Sequence, residues 1–227
     1  MNKNYKIAID GPSGVGKSTL AKALAELFKF VYVDTGAIYR TVGLYAQYNN
    51  IDPHNEEELK KHFDDIKIEL KWIDGVQKIF LNGNEVSEEI RTPKSSMYAS
   101  AVSALPAVRA FLLSKQRDIA ENNSVIMDGR DIGTVILPDA DVKIFMSADE
   151  VSRAKRRYKE LIDKGQNITF DEVLNDMRQR DFNDSTRSAS PLVPAADAVM
   201  FDNSELNIEE TVEAAKKIIL EKIDYEF

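Results

Sequence analysis

Lys6-Ile7-Ala8-Ile9-Asp10-Gly11-Pro12-Ser13-Gly14-Val15-Gly16-Lys17-Ser18 joins an apolar, strand-like run to a complete G-x-x-x-x-G-K-[ST] phosphate-binding loop, the P-loop. Glycines at 11, 14 and 16 free the backbone of Cβ clashes, so successive N–H groups can turn inward around the β-phosphate of a nucleotide. Lys17 adds a mobile positive charge and Ser18 a hydroxyl suited to Mg²⁺. Thr19 to Ala25 supplies good helix formers, whose dipole would point at the bound anion. A chance glycine-rich turn is the alternative; the strand before and the helix after both favour the nucleotide loop. ATP-binding residues are therefore expected at Gly11, Pro12, Ser13, Gly14, Val15, Gly16, Lys17, Ser18 and Thr19.

Working outward, apolar and β-branched runs at Tyr5 to Ile9, Val31 to Val33, Val125 to Met127, Val142 to Met146 and Ala198 to Phe201 read as buried strands. Helical patterns fall at Ser18 to Phe28, Ala37 to Tyr48, Ala107 to Glu121, Ala148 to Asp163, Phe170 to Arg180 and Ile208 to Ile223. The alternation predicts an α/β fold, a three-layer, mainly parallel sheet flanked by helices, with ligands at the carboxyl ends of the strands. One segment breaks it. Ile66 to Ile73, an Asp74-Gly75 turn and Gln77 to Leu81 have a period of two, and Asn82-Gly83 starts another reversal before Val86. The reading is an inserted small β-containing subdomain over 52–105, bounded by Pro53 and Pro106, within a core of 1–51 and 106–227. The charged Glu56 to Lys61 stretch reads as a solvated helix face, His54 and His62 as surface residues and Trp72 as a packing residue.

The chain has 227 residues, 43% of them hydrophobic, no cysteine and a formal charge of −8. That excludes a disulfide framework and a thiolate metal site, and the acidic balance argues against nucleic-acid binding. Neither a signal-peptide pattern nor an apolar stretch of about 18 residues is present, so no membrane association and a cytoplasmic location are expected. Charge is uneven, however: 153–187 holds nine Lys/Arg against seven Asp/Glu, and six of the eleven arginines. Arginine forks onto phosphate oxygens, so this concentration suggests a small phosphorylated ligand, with a solvated helix face as the alternative.

Three further clusters could carry chemistry. Val125-Ile126-Met127-Asp128 is a strand ending in a carboxylate that could hold Mg²⁺ directly or through water, and Gly129 then lets Arg130 and Asp131 project toward a phosphorylated substrate. Asp34-Thr35-Gly36-Ala37-Ile38-Tyr39-Arg40 offers a second anion site, or simply a helix cap at Thr35. Arg180, Asp184 and Arg187, spaced four and three apart, share one face if their helix runs that far; an ion-pair ladder is the competing reading.

Together the P-loop, Asp34 to Arg40, Gly129-Arg130-Asp131-Ile132-Gly133-Thr134 and Pro191-Leu192-Val193-Pro194-Ala195-Ala196-Asp197-Ala198 closely resemble the bacterial cytidylate kinases, P-loop nucleoside monophosphate kinases, across nearly the whole chain. The resemblance implies transfer of the ATP γ-phosphoryl to CMP or dCMP by a monomer, with Mg²⁺ as cofactor, and identifies 52–105 with a nucleoside-monophosphate-binding subdomain and about 150–187 with a helical lid. It implies CMP ligands at Thr35, Arg40, Ser100, Arg109, Arg130, Asp131, Arg180, Asp184 and Arg187. Of these, Arg40, Arg130 and Arg187 look like ligands of the phosphate, Ser100, Arg109 and Asp131 like readers of cytosine, and Arg180 and Asp184 like neighbours of the ribose. Catalytic roles fall to Lys17, Arg130, Asp131, Arg187 and the lid residues Arg153 and Arg157, with Arg156 beside them; the metal falls to Ser18 and Asp128. Two rivals stand beside this reading. One is a P-loop kinase for another monophosphate or small metabolite. The other is a GTPase switch, which would need a guanine-reading Asn-Lys-x-Asp segment that the sequence lacks.

Overall fold

A computed structural model describes residues 3–73 and 76–226. The elements run β1 (Lys6–Asp10), α1 (Lys17–Phe28), β2 (Val31–Asp34), α2 (Thr35–Tyr48), α3 (Glu56–Lys60), β3 (Ile68–Ile73), β4 (Val76–Leu81), β5 (Asn84–Glu85), α4 (Pro93–Ser103), α5 (Pro106–Asn122), β6 (Val125–Gly129), β7 (Val142–Ser147), α6 (Glu150–Asp163), α7 (Phe170–Thr186), β8 (Val199–Asp202) and α8 (Ile208–Leu220). Among the described residues one sheet has the order β2-β6-β1-β7-β8 and a second the order β3-β4-β5. β1 pairs in parallel with both β6 and β7, which explains the unbroken apolar runs: a central strand covered on both faces has no solvent side to mark with polar residues. The fold is the expected parallel sheet flanked by helices, together with a small antiparallel sheet.

The chain divides into two compact units, one comprising Met1–Tyr32 with Asn122–Phe227 and the other Val33–Glu121. In the first, α1 packs against β1, β6 and α8, and Ile7, Ile9, Leu24, Phe28, Ile126, Ile144 and Ile219 fill a common core. In the second, α2, α4, α5 and the small sheet enclose Ile38, Val42, Leu59, Ile79, Val102 and Leu112. Gly43 lets α4 approach α2 closely: a Cβ there would lie 2.9 Å from that of Tyr98.

Three local readings meet the structure differently. The Asn82-Gly83 reversal joins β4 to β5 with positive φ at both residues, 51° and 84°, as a primed turn requires. The Asp74-Gly75 turn lies outside the described residues. Trp72, expected to pack, is 39% exposed, since β3 turns its second half to solvent. Among the described residues no single helix is long and apolar enough to cross a membrane.

Candidate active site

Gly11 follows the last residue of β1 at φ +149°, where a Cβ would lie 2.4 Å from the Met146 carbonyl oxygen of β7. Only glycine lets the loop leave the sheet there. Gly14 and Gly16 also have positive φ, and Gly16 is the cap residue of α1. Lys17 opens α1 and is buried, with Nζ donating to the Pro12 carbonyl at 2.7 Å. Burial, followed by the positive field of Arg130, holds its pKa well below the usual lysine value against the opposing pull of Asp128 and Asp10, and a bound anion would favour the charged ammonium. Asn203, just past β8, donates from Nδ2 to the Val15 carbonyl at 3.0 Å and fixes the loop from the far edge of the sheet.

At the end of β6 the Asp128 carboxylate accepts from Ser18 Oγ at 2.8 Å and from the Tyr32 hydroxyl at 2.9 Å. One carboxylate and one hydroxyl at the loop suit Mg²⁺, which keeps several waters and completes its octahedron with substrate phosphates. Among the described residues no group of three or more His, Asp or Glu side chains gathers into a self-sufficient metal cage. One strand over, both oxygens of Asp10 accept backbone N–H groups, from Ile132 and Gly133, each at 2.8 Å. These belong to a single wide turn over Ile132–Ile136, closed by Leu137 N–H to the Ile132 carbonyl. Burial pushes the Asp10 pKa up to about 6 against the opposing pull of those two donors.

The basic cluster assembles in the same unit. α7 starts at a capping box, Thr169 with Glu172, and runs to Thr186, beyond the Arg180 limit that periodicity suggests. Asp184 on it is buried, accepting from Arg130 Nε at 2.8 Å, with Arg187 Nη1 at 3.9 Å. Burial works to raise the Asp184 pKa, but Arg130, Arg180 and Arg187 together hold it below the usual aspartate value. Arg187 also lies 3.6 Å from Asp131, itself buried, and donates from Nε to the Ser190 carbonyl at 2.8 Å. The structure thus brings Arg130, Asp131, Asp184 and Arg187 together. Two guanidiniums here face two buried carboxylates, and Arg180 adds a third positive field at Asp184.

α6 and α7 carry a small core of their own, Ala154, Leu161, Val173 and Met177, and meet the loop at Ser13. Asp181 Oδ1 accepts the Ser13 N–H at 3.0 Å, while Arg153 donates to both Asp181 Oδ2, at 2.5 Å, and the Ser13 carbonyl, at 2.8 Å. Arg180 reaches Ser13 Oγ at 3.5 Å. The neighbouring arginines are engaged elsewhere: Arg156 with the Asn203 carbonyl, and Arg157 with Glu160 three residues on. Thr19 is exposed on α1.

In the second unit Asp34, not Thr35, caps α2, accepting from Ala37 N–H at 2.9 Å; Thr35 is already inside the helix and buried. The same carboxylate accepts from Arg40 Nη2 at 2.9 and 3.2 Å. Arg109, near the start of α5, is buried, donates to the Ser103 carbonyl at 3.0 Å and lies over the Tyr39 ring, 5.5 Å from its centroid. Ser100 lies on α4, one turn before Ser103.

A model of the cytidylate kinase family matches residues 7–221. The chain belongs to that family. It is 48% identical over 217 residues to a cytidylate kinase of Thermosipho melanesiensis, covering 96% of this chain and 97% of the relative. With the cytidylate kinase of Caldicellulosiruptor bescii it shares 44% identity over 224 residues, 99% of each chain. In fold it is similar to an uncharacterized protein from Eubacterium ventriosum, at a TM-score of 0.51 and 15% identity, with 96% of this chain and 99% of that one covered. Within this cytidylate kinase family member, Asp10, Asp181 and Asn203 escaped the reading of the sequence. Each acts on backbone brought near by the fold rather than on a neighbour in the chain, and only the position of Asp10 at a strand end next to the loop gave a local signal.

Proposed function

We infer that the chain transfers the γ-phosphoryl group of ATP to CMP or dCMP, giving ADP and CDP or dCDP. The observation that carries the reading is the convergence of the loop, the Ser18–Asp128 pair and the Arg130–Asp131–Asp184–Arg187 cluster in one unit. A hydrolytic switch needs the first two; a cluster of arginines held by buried carboxylates serves a second phosphorylated ligand.

In this reading the loop N–H groups and Lys17 bind the β- and γ-phosphates of ATP. Ser18 and Asp128 would hold Mg²⁺, which supplies charge neutralisation on the transferring group when bound. Arg130 and Arg187 clamp the acceptor phosphate, with Arg40 and Thr35 assigned to the same group. Arg109, Ser100 and Asp131 are assigned to cytosine, whose amino donor calls for a carboxylate and whose N3 and O2 call for donors. Uracil reverses part of that pattern and would leave buried polar groups unpaired, at about 1–3 kcal/mol each. Arg180 and Asp184 are assigned to the ribose. No side chain need act as general base, because the attacking oxygen belongs to a phosphate monoester already largely ionised near pH 7. Arg153 and Arg157 belong to the lid, about 150–187, which would exclude water from the γ-phosphate. The segment 52–105 is the proposed monophosphate-binding subdomain, and the protein is proposed to act as a monomer in the cytoplasm.

A coupled ADP-release assay with ATP, Mg²⁺ and a panel of CMP, dCMP, UMP and AMP tests this directly. Turnover of CMP and dCMP should exceed that of UMP and AMP by at least tenfold, about 1.4 kcal/mol. Equal turnover of all four would remove the cytosine assignment, and hydrolysis of GTP indifferent to CMP would replace the kinase by a switch.

A further inference from the structure

Arg91 belongs to no motif quoted above, yet it stands beside one. It closes the single turn Glu89–Arg91, directly before α4. That turn is anchored from both sides: Ile90 is fully buried in the core of the second unit, and Ser95 Oγ donates to the Glu89 carbonyl at 3.1 Å while its N–H goes to the capping Thr92 hydroxyl at 3.0 Å. The backbone of Arg91 is therefore held, and its side chain, 41% exposed, extends toward Asp34, with Nη2 3.8 Å from Oδ2.

At that distance the pair makes no hydrogen bond. The Asp34 oxygens are already engaged by Arg40 and by the Ala37 N–H. Arg40 in turn has its Nε buried and without a partner among the described residues. Two guanidiniums thus face one carboxylate whose lone pairs serve the helix cap and Arg40, at the N-terminal end of α2, where the helix dipole adds further positive potential. Gly36 keeps the space open, for a Cβ there would lie 3.1 Å from Arg40 Nη1 and 3.2 Å from Asp34 Oδ1. A pair with the half-exposed Arg91 at 3.8 Å and without a hydrogen bond would stabilise little and does not account for an anchored turn. A phosphate monoester would engage both guanidiniums and offset the one positive charge that the Asp34 carboxylate leaves uncompensated.

We propose that Arg91 is a second ligand of the acceptor phosphate on the Val33–Glu121 unit, acting with Arg40 across the carboxylate of Asp34. The proposal rests on the reading of the chain as a CMP kinase and adds a residue to its acceptor site.

Steady-state kinetics of the full chain test it, with Arg91→Ala, Arg91→Lys and Arg40→Ala compared for KM of CMP, KM of ATP and the inhibition constant of cytidine, which lacks the phosphate. Loss of a charge-assisted contact should raise KM for CMP about tenfold or more in Arg91→Ala. KM for ATP and the cytidine constant should stay within about twofold. Arg91→Lys, which keeps the charge and loses the fork, should fall between Arg91→Ala and the wild type. If Arg40→Ala weakens CMP and neither Arg91 variant does, Arg91 has no such role while the acceptor site stands. If cytidine weakens as much as CMP, the phosphate assignment is overturned. If neither arginine affects CMP, the acceptor-site reading fails and Arg91 fails with it.

Discussion

Asp10 shows how much one buried carboxylate can do through backbone N–H groups. Both its oxygens are spent on the N–H groups of Ile132 and Gly133, immediately after Arg130 and Asp131, so it sets the direction in which the chain leaves β6. Burial raises its pKa from 3.8 to about 6. Unfolded, the group ionises near 3.8; folded, it keeps its proton until about pH 6. Its contribution to stability is therefore full below about pH 4 and is lost as pH rises to about 6, an amount on the order of 3 kcal/mol. Asp10→Asn cannot ionise, so the stability of wild type relative to this variant should decline by about that amount between pH 4 and pH 7. Urea denaturation of both proteins at four pH values checks the slope, and a flat difference would mean that Asp10 is ionised throughout. Above pH 6 the variant should also turn over more slowly, because an amide cannot accept both N–H groups and the turn loses its aim.

The P-loop makes the corresponding point for elements, since its glycines answer to different neighbours. At Gly11 a Cβ would strike a backbone carbonyl of β7, which cannot move without breaking the sheet. At Gly14 it would lie 2.7 Å from Met177 Cε, the mobile end of a side chain on α7. Gly11→Ala should cost roughly 4 kcal/mol or more of global stability. Gly14→Ala should cost about 1–2 kcal/mol for its left-handed backbone, and should instead raise KM for ATP several-fold by lifting α7 from the loop. Thermal denaturation and ATP kinetics on the two variants separate the effects. The same distinction explains what could be read in advance. β1, β6 and β7 are apolar runs because both their faces are covered, and the hairpin alternates because one face is wet. α4 was not foreseen: Lys94-Ser95-Ser96-Met97-Tyr98-Ala99-Ser100 has weak amphipathic periodicity, and only Thr92 and Pro93 at its start mark it. Ser100 accordingly entered through family resemblance alone. The capping of α2 by Asp34 rather than by the Thr35 hydroxyl shows that which of two adjacent capping residues serves is decided by where the strand stops. The approach of Arg130 and Arg187 to Asp184 depended on α7 extending past Arg180, which local propensity left open.

For the whole molecule, the decisive feature is that each unit has a core of its own. The chain passes from the first unit to the second within β2 and returns at the end of α5, and β2 and β6 are neighbours in the large sheet, joined where Val31 N–H meets the Ser124 carbonyl at 2.9 Å. The ends of the inserted unit are thus brought together by strand pairing, and little further loop-closure entropy is lost when it folds. Separate cores joined by two crossings should unfold as separable units. Leu112 is fully buried in the core of the second unit, and Leu112→Ala should remove about 2–5 kcal/mol there. Native-state hydrogen exchange should then show lost protection throughout Val33–Glu121, with α2 and α5 affected alike, while β1, α1, β6 and β7 keep theirs. ATP affinity should stay within about twofold, because the loop, Lys17, Ser18 and Asp128 all belong to the first unit, whereas KM for CMP should rise. Ile144→Ala, in the core of the first unit, should reverse the pattern of exchange. Uniform loss of protection across both units in either variant would show a single cooperative molecule, and binding of the two nucleotides would then have to be coupled through global stability rather than divided between two separately folded parts.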